Sequence, residues 1–345
     1  MDFTFSAEQR ELREQARSFL EVHFTPTRVA QLAESEVGWD PEIWSELAQL
    51  GWLGVSVPEE LGGAGLSFIE EAILLEEFGR CLFPGPFLST VGFARPALTP
   101  DQLAKVAAGG RRWSACLGGR AALVPDLKSV DEVVLARGDQ LLAVAAEGVA
   151  AASIDSTRRL GRLSSSEGEL LASGPRAHEL VEAMRIRLAT ALALEAVGVA
   201  QRVLEWGLEH ARTREQFGRP IGSYQAVSHP LVETFVEVEL ARSLAYWAAW
   251  CISVDDPQSG LAAAAAKSAA SDAAVHACER VIQVHGGMGF TWESPLHRFY
   301  KRALWIEHFS GSPAEHRIRL ARELLAGEAS GGPSAAPQPS PRGGV

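Results

Sequence analysis

Apolar residues recur at helical spacing from the first turns of the chain. Leu12, Ala16, Phe19 and Leu20 follow a capping-box pair, Ser6 and Gln9, which predicts a helix opening just after Ser6. Asp40-Pro41 predicts a second start, with Ile43, Leu47 and Leu50 on one face. Ser67 and Glu70 cap a third, which carries Ile69, Ile73, Leu74 and Phe78. Between the last two, "VPEELGGAGLS" reads as a loop. Its glycines, Gly62 to Gly65, follow no strand and lack the lysine of a phosphate loop, so a helix–helix connector is expected.

The pattern changes over residues 101–175. "VDEVVLARGDQLLAVAAEGVAAASI" holds two apolar runs around the turn residues Arg137-Gly138-Asp139, which predicts a hairpin in a small β-rich segment. Helical periodicity returns from 176 to 326 in longer units. The stretch ending at Phe217 is apolar on nearly every face, as a helix inside a bundle would be. A second long helix starts near Ser223, with Pro230 tolerated in its first turns, and a third ends near Gly286. Ser294-Pro295 and Ser312-Pro313 open two more, the latter with Glu315 completing a capping box. Residues 327–345 are rich in Pro, Gly, Ser and Ala and are expected to be disordered. The order predicts a mainly α protein: an N-terminal helical domain (1–100), a small β middle domain (101–175) and a C-terminal helical bundle (176–326). Segregated strands and helices argue against a doubly wound α/β fold.

Composition narrows the function. The 345 residues are 47% hydrophobic and 22% charged, as in ordinary globular proteins. A net charge of −11 opposes general nucleic-acid binding. No apolar stretch reaches the roughly 18–20 residues of a membrane span, and the N-terminus lacks the basic-then-apolar order of a secretory signal. Cys81, Cys116, Cys251 and Cys278 lack metal-ligand spacing, so no metal site is expected, and free thiols suit a reducing cytoplasm.

Two stretches carry candidate chemistry. In "QVHGGMGF" the glycines Gly286, Gly287 and Gly289 follow a helix, which excludes a dinucleotide-binding fingerprint. They read either as a helix C-cap with a turn or as bare backbone that admits a ligand. In "RTREQFGRPIGSYQ", Arg212, Arg214 and Arg219 surround Phe217-Gly218, and Gln225 follows. That corner reads either as a solvated loop or as an anion site.

Together the stretches resemble the acyl-CoA dehydrogenase family. Its pattern R-x-x-F-G-x-x-I-x-x-x-Q is matched from Arg214 through Phe217, Gly218 and Ile221 to Gln225. Its pattern Q-x-x-G-G-x-G-[FY] is matched by Gln283, Gly286, Gly287, Gly289 and Phe290. "LGWLGVSVPEELGGAGLS" looks like its N-terminal domain, and the likeness covers most of residues 1–325. The resemblance implies a helical N-terminal domain, a β middle domain and a C-terminal four-helix bundle. It also implies FAD, with Arg214, Phe217, Gln225, Gln283, Gly286 and Gly287 as cofactor contacts, some of them reaching the FAD of a neighbouring subunit. The implied substrate is an acyl-CoA and the implied electron acceptor a protein.

The sequence departs from the family twice. The catalytic glutamate of many members lies in a pattern like Y-E-G-T-S; here Phe309, Ser310 and Gly311 stand there, so Ser310 replaces the base. An unactivated serine cannot take the α-proton. Other members carry the glutamate in the first bundle helix, near Leu188 and Ala189 here, and neither can serve. Glu195 reads as a paired interior acid, and Glu307 and Glu315 as surface or cap residues. The middle domain lacks the family's T-E-P-x-A-G-S-D and W-[IV]-T-N patterns and looks shortened. The expectation is therefore a non-catalytic subunit that completes the FAD site of a catalytic partner, as in bacterial heterotetramers with bulky acyl-CoA substrates. The alternatives are a self-sufficient enzyme with a displaced base and a scaffold without enzymatic role. Arg298 and Arg302 are expected either at CoA or on a solvated helix face.

Overall fold

The computed structural model describes residues 4–118 and 123–330. Helix α1 spans Ala7–His23 and begins with the Ser6–Gln9 capping box, Gln9 N–H donating to Ser6 Oγ at 3.1 Å. Helix α2 covers Pro26–Glu34, and α3 covers Pro41–Gln49 with Asp40 as N-cap. Helix α4, Phe68–Arg80, is capped by Ser67 and Glu70 and is buried along most of its length. A π-helical segment, Leu88–Ala94, and helix α5, Pro100–Ala107, complete the N-terminal part.

Among the described residues, seven short strands follow: β1 Trp113–Cys116, β2 Val124–Pro125, β3 Glu132–Arg137, β4 Gln140–Ala145, β5 Gly148–Ala151, β6 Leu160–Leu163 and β7 Glu169–Ser173. One sheet has the order β1-β3-β4-β7, the other β2-β6-β5. The expected hairpin is β3–β4, with Arg137 opposite Gln140. The second apolar run divides: β4 stays in the first sheet and β5 crosses to the second, where Gly148 pairs with Leu163. Pattern alone could not show that division, because both halves are apolar.

The chain then forms α6, Gly174–Thr213, in which every residue from Arg187 to Ala200 is buried. A two-stranded turn, β8 Glu215–Gln216 with β9 Arg219–Pro220, leads to α7, Gln225–Ser253. Helices α8 (Ser259–His285), α9 (Leu296–His308) and α10 (Pro313–Ser330) complete the helical domain. Helix α10 runs past residue 327, where the disordered tail was expected to begin; its Ser312–Glu315 cap and ion pairs such as Arg317–Asp272 at 2.7 Å anchor its start. The rest of that tail, 331–345, lies outside the described residues.

The β part is joined to the helices by buried charge. Arg158, in the loop before β6, donates to both oxygens of Glu195 on α6 at 2.7 and 3.0 Å. Arg302 on α9 bonds Asp155 and donates to Thr157 Oγ1 at 2.7 Å, with Glu195 at 3.8 Å. Burial alone would raise Asp155, but the charge of Arg302 and the hydrogen bonds from Thr157 and Arg302 together outweigh it and hold the carboxyl below its ordinary value. Arg302 thus lies on no solvated helix face: it is fully buried, and three acids of the interior lie within its reach or beside it.

Candidate functional site

The arginine corner is built by a tight turn. Helix α6 stops at Thr213, and the backbone N–H of Arg214 closes it by donating to His210 O. Gln216 then pairs with Arg219, so Phe217 and Gly218 form a two-residue loop, with φ of 54° and 78°. Positive φ at both positions is the hairpin geometry whose twist fits the flanking strands, and glycine meets it easily where phenylalanine does not. Phe217 is nevertheless 93% exposed. Among the described residues its ring contact is an edge contact with Tyr224, at 6.3 Å between ring centres. Arg219 lies over Tyr224 at 4.1 Å, and Tyr224 Oη donates to Gln216 O at 3.1 Å. Arg214 is exposed, and among the described residues its guanidinium forms no ion pair. Gln225 is the exposed first residue of α7.

The glycine turn closes α8, and its three glycines have different reasons. Gly286 has φ of 61° with ψ of −139°, a positive-φ backbone outside the left-handed helical well that glycine alone adopts readily. At Gly289 a Cβ would meet Ile282 O at 2.5 Å. Gly287 has neither constraint: its φ is not positive, and a Cβ there would meet nothing within 4 Å. The open space over Gly287 is therefore the feature of this turn that the chain's own packing leaves unused. Gln283 and Gly287 are exposed, as are Met288, Phe290 and Trp292.

The fold brings both motifs to one end of the helical domain. His210, one turn before Arg214, stacks on His285, the last residue of α8, at 4.2 Å. Burial, then the charges of His285 and Arg214, push His210 below its ordinary value. A cavity of about 410 Å³ separates the end of α6 from the glycine turn, lined by Trp206, His210, Met288 and Thr291 among others.

Ser310 and Leu188, 122 positions apart in sequence, line one further cavity of about 380 Å³ with Phe93, Leu123 and Phe309. No described residue that lines it is a carboxylate; its polar groups are Ser310, Arg185, Arg319, His308 and His316. Glu195, Glu307 and Glu315 are all outside it. Glu195 is held by Arg158, and Glu315 accepts from Ser312 N at 2.7 Å as a helix cap. Ser310 has φ of 64°, and its carbonyl accepts from His316 Nε2 at 3.1 Å. Lys267, buried in α8, fixes the same loop by donating to Ile306 O at 2.7 Å and Gly311 O at 3.3 Å. Burial pushes Lys267 down to about 8. In the chain Lys267 is marked only as a lone cation in the alanine run "AAAAAKSAAS". Among the described residues, no three His, Cys, Asp or Glu side chains converge to hold a metal.

Sequence and fold comparisons agree on a relationship. Residues 6–98 match the acyl-CoA dehydrogenase N-terminal domain, and residues 187–325 match the acyl-CoA dehydrogenase C-terminal domain. The chain is 36% identical over 327 residues to acyl-CoA dehydrogenase IpdE2 of Mycobacterium tuberculosis, covering 92% of this chain and 97% of that one. Among solved structures, a variant of the Tcur3481-Tcur3483 steroid ACAD superposes with a TM-score of 0.84 at 29% identity, covering 93% of this chain and 99% of that one. A chain of the ChsE4-ChsE5 complex from Mycobacterium tuberculosis gives 0.84 at 25% identity, covering 94% and 99%.

Proposed function

This chain belongs to the acyl-CoA dehydrogenase family, and from that premise we propose that it is the non-catalytic subunit of a FAD-dependent acyl-CoA dehydrogenase. In this reading it completes a flavin site whose base lies on a catalytic partner subunit. The observation that carries the proposal is the Ser310–Leu188 cavity. Both positions where the family places its base line it, and neither they nor their described neighbours supply a carboxylate. A proton α to a thioester needs a base of raised pKa in an apolar pocket, and serine and leucine provide none.

The residues at the other end fit the cofactor. Exposed Arg214 has a guanidinium free to pair with a diphosphate, and the space over Gly287 admits a flat adenosine against backbone. Gln225 and Gln283 would offer amides, and exposed Phe217 an apolar contact. Bound FAD supplies the hydride acceptor for α,β-dehydrogenation of an acyl-CoA. This chain's part is to hold the cofactor and shield it from water, and a protein acceptor would take the electrons onward. The steroid ACAD among the similar structures supports a bulky, fused-ring acyl group. No helix among the described residues is long and apolar enough to cross a membrane.

The test is an absorbance spectrum of the chain purified alone, beside one of the chain co-expressed with the products of neighbouring genes. A colourless chain that yields a yellow, acyl-CoA-oxidising complex supports the reading. A yellow chain with about one FAD per chain and its own turnover overturns it in favour of a self-sufficient enzyme.

A further inference from the structure

A third cavity, of about 380 Å³, lies where the N-terminal helices meet the helical domain, and neither Arg214, Gln225 and Gly287 nor Ser310 lines it. Its apolar wall comes from Leu20, Phe24 and Val29 on one side and from Trp206 and Phe299 on the other. The last two rings meet edge to face at 4.9 Å, which makes that wall rigid.

Four arginines line the same space, and they are not equivalent. Arg17 is spent on Glu77, bonded through Nε at 3.0 Å and Nη2 at 2.7 Å. Arg80 is spent on Glu205, bonded through both Nη atoms at 2.8 and 2.9 Å, and its Nε lies 3.3 Å from Glu77. Arg202 and Arg298 are engaged at one nitrogen each. Arg202 Nη1 reaches Glu205 at 3.3 Å and Glu21 at 3.9 Å; Arg298 Nη2 reaches exposed Glu34 at 3.0 Å. Their Nε and remaining Nη groups make no hydrogen bond among the described residues. Arg202 is held over Trp206 at 5.1 Å, so its fork is oriented before any ligand arrives.

We propose that this cavity binds an apolar carboxylic acid, the carboxylate held by Arg202 and Arg298 and the hydrocarbon body against Phe24, Trp206 and Phe299. The volume lies in the range of small-molecule sites, and an apolar wall with a few convergent charged donors is how such sites orient a ligand. Guanidinium favours carboxylate through paired N–H donors; Nε and Nη2 of Arg202 form such a pair, and Arg298, engaged at Nη2, adds single N–H donors. The two acids lining the cavity do not cancel this. Glu77 is saturated by Arg17 and Arg80, and Glu21 lies 3.9 Å from Arg202, beyond hydrogen-bonding range. Trp206 and Pro295 line this cavity and also the one at the glycine turn, so the two share a wall. The proposal does not depend on the flavin reading.

The test is calorimetric titration of the full chain with decanoate, with decan-1-ol as the neutral control. The expected result is saturable one-to-one binding of decanoate, weakened at least about tenfold by Arg202→Gln and by Arg298→Gln, with decan-1-ol weaker by a similar factor. Arg185→Gln, in the Ser310 cavity, should leave the affinity unchanged. Because the two variants also lose pairs with Glu205 and Glu34, a second measurement uses unmodified protein: intermolecular NOEs from the decanoate methylenes to the Trp206 indole. No saturable binding, equal affinity for decan-1-ol, or NOEs that avoid Trp206 would each overturn the proposal. Displacement of decanoate by inorganic phosphate at similar concentration would overturn the carboxylic-acid assignment.

Discussion

Arg158 and Glu195 face each other in the interior, bonded at 2.7 and 3.0 Å, one from the loop before β6 and one from the middle of α6. The pair is a tie between the β part and the helical domain. Arg302 stands 3.8 Å from the same carboxylate, so removing the acid leaves two buried guanidinium groups short of charge. Glu195→Ala should lower the unfolding free energy by about 3–5 kcal/mol, read by urea denaturation. A loss under about 1 kcal/mol would mean that water reaches the site and the tie is weak.

Phe217 is placed against the interest of the isolated chain, strained in backbone and almost wholly exposed. Phe217→Gly should therefore stabilise the chain alone, by about 1 kcal/mol in thermal unfolding. It should at the same time weaken the assembled complex, measured as subunit dissociation or FAD release. Equal loss in both assays would show that the ring serves only the turn.

Arg214→Ala in the assembled complex should reduce FAD retention at least about tenfold while leaving the melting of the isolated chain unchanged, since its guanidinium forms no ion pair among the described residues. Gly287→Val should do the same by filling the open space above the turn. Unchanged FAD occupancy in both variants would remove this corner from the cofactor site.

Glu205 carries a pH dependence with a definite sign. Burial would raise its carboxyl, but the hydrogen bonds and charge of Arg80, with Gln201 and Arg202, outweigh it and bring it from 4.5 to about 2. A depressed carboxyl stabilises the fold above its unfolded value and loses that contribution as pH falls through its folded value. Stability from this group should thus be complete above pH 4.5 and decline towards pH 2. Glu205→Gln should flatten the acid limb of the melting-temperature profile over that window and leave the slope near neutral pH unaltered.

Much of the architecture is legible in the chain because local physics decides it. The Ser6, Asp40, Ser67 and Ser312 caps mark helix starts that the structure contains, since a cap satisfies backbone donors within one turn. The apolar faces of the stretch that becomes α6 already announce a buried helix. That Ser310 and Leu188 are not carboxylates is likewise visible in one dimension. That the two positions line one cavity is not, because 122 residues separate them and only packing closes that distance. The same limit applies to charge. Arg302 reads in the chain either as a CoA contact or as a cation on a solvated helix face, yet it is fully buried, because its partners Asp155 and Glu195 come from elements far off in sequence. The three glycines of the turn also look alike in the chain. Only the folded backbone separates Gly286, set by its positive φ, and Gly289, set by the Ile282 carbonyl, from Gly287, which faces open space. Sequence determines what each segment does alone; long-range contact decides which charges are buried and which bare backbone remains open to a ligand.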